Sequence, residues 1–84
     1  MNLTVRYFAS LREALGEQQQ LAGLDSPLTV AQLRQHLMDS SPSHAQWLHV
    51  GRAVRCAVNQ AMAHEETVIP DGAEVAFFPP VTGG

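Results

Sequence analysis

Apolar and polar positions alternate at the start of the chain. Leu3, Val5 and Tyr7 are interleaved with Thr4, Arg6 and Phe8. Period two with β-branched and aromatic residues predicts a strand with one face turned inward. Phe8 is the exception, an apolar residue on the otherwise polar face. Ser10 with Glu13 has capping-box spacing and Gly16 is a helix stop, so a short helix of about two turns is expected next. Glu17 to Leu24 reads as a second strand anchored by Leu21 and Leu24, with Gln18, Gln19 and Gln20 solvated. Asp25-Ser26-Pro27 signals a turn.

Beyond that turn the period changes. Thr29 with Gln32 is a second capping box, and Val30, Leu33 and Leu37 recur at spacings of three and four. This predicts an amphipathic helix to about Asp39. Ser40-Ser41-Pro42-Ser43 breaks it, and residues 44–49 suit one more short helical turn, with Trp47 and Leu48 packing inward. Ala53–Val58 reads as a strand with Asn59-Gln60 as its turn and Met62 on the far side. Thr67-Val68-Ile69 reads as a short extended piece and Asp71-Gly72 as a tight turn. Glu74–Phe78 is the last strand, with Val75 and Phe77 on one face and Ala76 and Phe78 on the other. The first and last strands are strongly apolar and should be central. The order predicts an α+β fold: a mixed sheet with one main helix packed on one face, the β-grasp or ubiquitin-like arrangement.

Composition narrows the partners. The 84 residues suit one domain, with charged residues only 15% of the total. A sparsely charged surface leaves room for an apolar contact patch. A net charge of -3 with five basic residues argues against nucleic acid. No apolar run approaches a membrane span, and Met1–Val5 lacks the blocks of a signal peptide. A cytoplasmic location is expected. The lone cysteine, Cys56, forms no internal disulfide and reads as a small buried hydrophobe. His36, His44, His49 and His64 have no zinc-motif spacing and read as surface histidines. No metal is expected.

Past Phe78 the chain changes character, to Pro79-Pro80-Val81-Thr82-Gly83-Gly84. Two prolines cannot continue a central strand and favour extended backbone. Residues 1–78 are thus expected to form the domain and residues 79–84 an extended reactive tail, with a reach of roughly 20 Å. Paired glycines without Cβ can enter a narrow channel. The group they deliver is the α-carboxylate of Gly84. A carboxylate is a poor electrophile until activated, for instance as an acyl-adenylate. A sulfur donor can then displace AMP and leave a nucleophilic thiocarboxylate.

The run from Asp71 to Gly84 resembles the C-terminal signature of the MoaD/ThiS sulfur-carrier family, in its molybdopterin synthase small-subunit branch. Val5–Glu13 is similar to that family's first strand and helix, and Ala57-Val58-Asn59-Gln60 to its middle strand and turn. Ala73 stands where the family usually has an acidic residue. The resemblance implies a sulfur carrier in molybdenum cofactor biosynthesis, recharged after each turnover and not catalytic alone. A MoeB-type adenylyltransferase would activate Gly84 with ATP. A MoaE-type large subunit would then receive the tail, Pro79, Pro80, Val81, Thr82 and Gly83, and supply the catalytic side chains. No bound cofactor is implied beyond the ATP used by the adenylating partner. If Tyr7 and Phe77 face the core, Phe8 and Phe78 point outward, and the family's docking patch maps onto Phe8, Met62 and Phe78. Arg12 matches a family position that pairs with an acidic partner group. Two other readings stay open: a ThiS-type carrier for thiazole synthesis, and a ubiquitin-like modifier or binding module.

Overall fold

The computed structural model describes residues 1–49 and 51–80. The opening alternation forms strand β1, Leu3–Tyr7, with Leu3, Val5 and Tyr7 buried. Phe8 ends it: its N–H donates to the Phe77 carbonyl at 3.1 Å, while its own carbonyl accepts from Leu11 and Arg12. Helix α1 therefore starts at once and spans Ala9–Leu15, with Phe8 at the N-cap and no side-chain cap. This corrects the expected Ser10 capping box. The backbone reverses through Ala9, at φ 53°, and leaves Ser10 inside the first turn. Gly16, at φ 98°, ends the helix where the sequence placed a stop.

Strand β2, Gln18–Leu21, is shorter than the expected segment. Leu21 and Leu24 both pack on the core. Gln19 is not a solvated spacer: its Oε1 accepts from the Tyr7 hydroxyl at 2.7 Å. Helix α2, Val30–Ser40, opens with the complete Thr29/Gln32 capping box. It buries Val30, Leu33 and Leu37, and each such side chain contributes about 1.5–3 kcal/mol through burial. The Ser-Pro break is at the same time a start. Ser41 caps helix α3, Pro42–Leu48, whose first position is Pro42. Leu48 is fully buried, whereas Trp47 sits at the rim of the core with the Arg52 guanidinium 4.3 Å from its ring centroid.

Strand β3 is Arg55–Val58 and strand β4 is Ala61–Ala63. Asn59 and Gln60 both hold positive φ, 49° and 70°, which makes a two-residue hairpin turn. The hairpin corrects the expected strand list, because the fourth strand contains Met62. Thr67–Ile69 contributes only an isolated bridge, Thr29 to Val68. Strand β5, Glu74–Phe78, follows the Asp71-Gly72 turn. The five strands lie in the order β2-β1-β5-β3-β4. β5 runs parallel to β1 and antiparallel to β3, so the sheet is mixed and the last strand is its centre. Leu11 of α1, Val30, Leu33 and Leu37 of α2, and Leu48 of α3 join Val5, Tyr7, Val58, Val75 and Phe77 in one core. This is the β-grasp fold, with α1 and α3 added to the main helix.

Candidate functional site

The sheet keeps one face for the helices and leaves the other open. Period two sends Val75 and Phe77 inward, almost fully buried, and Ala76 and Phe78 outward, half-buried. The register then sets the neighbours. Arg6 pairs with Ala76, Ala76 with Ala57, and Ala57 with Met62, one row across four strands. Phe78 pairs with Arg55 one step along the same face. With strands about 4.8 Å apart, Met62 lies roughly 10 Å from Ala76. Phe8 closes the patch on the β1 side, its ring against the Arg6 guanidinium at 5.2 Å. Phe8 is 36% exposed and Met62 66%.

The structure therefore brings Phe8, Met62 and Phe78 onto one open face, with Ala57 and Ala76 between them. It does not bring Arg12 there. Arg12 is on α1, and its guanidinium pairs with Glu17 at 3.6 Å in an exposed ion pair. Sequence reasoning missed Arg6 and Arg55 on the open face. Their signal was present, since each alternates with a buried neighbour.

Beyond β5, Pro79 and Pro80 are half-buried and outside any strand. The expected tail residues Val81, Thr82, Gly83 and the reactive Gly84 lie outside the described residues. What the structure supplies is the base of the tail: it leaves the central strand, next to Phe78.

Other chemistry recedes on inspection. Cys56 faces the core, and burial, reinforced by Glu65 and only partly offset by Arg34, pushes its thiol up to about 12. It is protonated at neutral pH and a poor nucleophile. Burial likewise pushes the Tyr7 phenol up. His44 is no free surface residue: its Nε2 lies 3.1 Å from Gln19 Oε1, its Nδ1 2.7 Å from Ser41 Oγ, and burial lowers its pKa. Arg34 is buried, giving hydrogen bonds to the carbonyls of Leu48 and His49 and an ion pair to Glu65 at 2.6 Å. That closes the C-terminal end of α3 and is structural. Among the described residues no three His, Cys, Asp or Glu side chains gather as a metal site, and no helix is long and apolar enough to cross a membrane.

Residues 5–84 match the ThiS family. The molybdopterin synthase sulfur carrier subunit of Escherichia coli (strain K12) is 43% identical over 82 residues, covering 98% of this chain and 99% of that protein. SAMP1 from Haloferax volcanii superimposes with a TM-score of 0.79 at 24% identity, over all of both chains. A chain of the complex of subunits 1 and 2 of molybdopterin-converting factor from Helicobacter pylori 26695 gives a TM-score of 0.68, also at 24% identity and full coverage.

Proposed function

The chain belongs to the ThiS family, and from that premise we propose that it is the sulfur carrier subunit of a molybdopterin synthase. The observation that carries this reading is the near end-to-end match, at 43% identity, to a protein of that function. The solved structures at 24% identity speak for the fold alone and lend no weight to a modifier role.

The chemistry follows from what the tail carries. The Gly84 carboxylate attacks the α-phosphate of ATP on an adenylating partner of the MoeB type, releasing pyrophosphate and leaving an acyl-adenylate. A sulfur donor attacks the acyl carbon, and AMP departs with the C–O bond electrons. A hydrosulfide donor gives the thiocarboxylate directly, ionised at neutral pH; a persulfide donor first gives an acyl disulfide, from which a second thiol frees the thiocarboxylate by forming a disulfide with the donor. Within the large synthase subunit the thiocarboxylate sulfur attacks a carbon of the pterin precursor and displaces an oxygen leaving group. Water then cleaves the acyl C–S bond of the resulting thioester, leaving sulfur on the pterin and a carboxylate on Gly84. The chain binds no cofactor of its own in this cycle, which runs in the cytoplasm. The open face with Phe8, Met62 and Phe78 docks on each partner in turn, and Pro79 and Pro80 stiffen the path from β5 to the reacting end.

Intact-mass spectrometry after incubation with ATP, the adenylating partner and a sulfur source tests the proposal. One oxygen-for-sulfur exchange, a gain of about 16 Da at the terminus, is expected for an acyl group activated for nucleophilic exchange. Deleting Gly83 and Gly84 should abolish that gain. An unchanged mass in the full-length chain would overturn the proposal.

A further inference from the structure

Two arginines bracket the central strand on the open face. Arg6, on β1, pairs with Ala76, and Arg55, on β3, pairs with Phe78. Paired positions share a face, so both guanidinium groups stand beside the Ala76–Phe78 strip. They are two of five basic residues in a chain of net charge -3. Both stand beside the apolar anchors, with Glu74 the acidic residue of the same strand face.

Arg6 is held in place without being saturated. Its guanidinium lies over the Phe8 ring. Glu74 is 3.8 Å away, a long and partly exposed pair. Nε is shut off from solvent and meets no acceptor among the described residues. A guanidinium offers five N–H donors in a planar fork; with Nε enclosed, the terminal Nη groups of this partly exposed side chain are the donors left for a second carboxylate. Arg55 is exposed at the start of β3.

Resting on the sulfur-carrier reading, we infer that Arg6 and Arg55 are recognition residues for carboxylates on the large synthase subunit, set at the rim of the apolar patch. β1 and β3 are two strand spacings apart, about 10 Å, so each arginine takes its own carboxylate. An apolar centre with a charged rim is the anatomy of a protein interface. Arginine suits the role because its fork grips a carboxylate through two parallel hydrogen bonds. A second copy of this chain offers this face only one carboxylate, Glu74, which already faces Arg6, and so cannot supply a separate carboxylate to each arginine. A nucleic acid is poorer still, facing a net acidic protein.

Calorimetric titration of the full chain against the large synthase subunit, at low and high ionic strength, tests this. The Arg6→Gln/Arg55→Gln variant should bind about tenfold more weakly and lose much of the salt dependence of the wild type. Arg55→Gln alone, at an exposed position, should show part of both effects and guards against a folding defect in the double variant. Wild-type binding matched by the variants, with the same salt dependence, overturns the inference and leaves the carrier reading standing. No binding by the wild-type chain overturns both. Sedimentation showing a dimer of this chain that the arginine substitutions dissolve would assign the face to self-association and overturn it as well.

Discussion

Tyr7 and Phe8 are adjacent aromatics with opposite fates. Tyr7 is 1% exposed, and its hydroxyl finds Gln19. Phe8 is 36% exposed and carries the Arg6 guanidinium. Phe77 and Phe78 repeat the division on β5. A single alternation thus separates the residues that hold the fold from those left on the open face, where the proposed docking patch lies. The Phe78→Lys protein should therefore fold, because the lysine stem can lie along the face while its ammonium reaches water. Circular dichroism should show a melting temperature within about 5 °C of wild type. Binding to the large subunit should weaken roughly a hundredfold, as for loss of an apolar anchor. A variant that no longer folds would place Phe78 in the core instead. These positions were legible from period two alone. Ala9 at positive φ and the Gln19 hydrogen bond were not, because each depends on a strand or helix that arrives from elsewhere in the chain.

Helix α2 shows how far local signals reach. The Thr29/Gln32 box forms with both hydrogen bonds, Gln32 N–H to Thr29 Oγ1 at 3.2 Å and Thr29 N–H to Gln32 Oε1 at 2.9 Å. Thr29→Ala removes one acceptor and should cost about 1 kcal/mol, read as a lower urea midpoint with unchanged slope. The Ser10–Glu13 spacing looked the same and formed no box. There the hydrogen bond between Phe8 and Phe77 fixes where the strand ends, and the helix must begin two residues early. Ser41-Pro42 was legible as a break but not as a start, since a capping serine with proline at the first position serves both uses. Of the proposed docking patch, Phe8 and Phe78 were read from alternation in single strands and Met62 from the family resemblance. Alternation alone turned Arg6 and Arg55 outward, but their places on either side of β5 emerged only from the register of β1 and β3.

At the scale of the molecule, His44 joins three elements. Its ring sits between Ser41 on the α3 side and Gln19 on β2, and Gln19 also holds the Tyr7 hydroxyl of β1. Burial lowers the His44 pKa below its ordinary 6.5. Above that value the ring is neutral in both folded and unfolded chains and pH has no leverage through it. As pH falls below about 6.5, the unfolded chain takes up the proton more readily, so stability declines until the folded ring is protonated as well. Thermal melts between about pH 7 and pH 5 should show this decline, and His44→Gln should flatten it. A variant curve as steep as the wild type would assign the pH response to other groups.

The place of β5 between β1 and β3 has a mechanical consequence. Tension applied at Phe78, as when a partner draws on the end of the chain, runs along the strand. Ladders on both sides then carry the load in shear, with every hydrogen bond strained together. A strand at the margin of the sheet would peel from one neighbour a bond at a time. In the proposed cycle, where partners grip and release the terminus, the pull is thereby borne by two ladders at once.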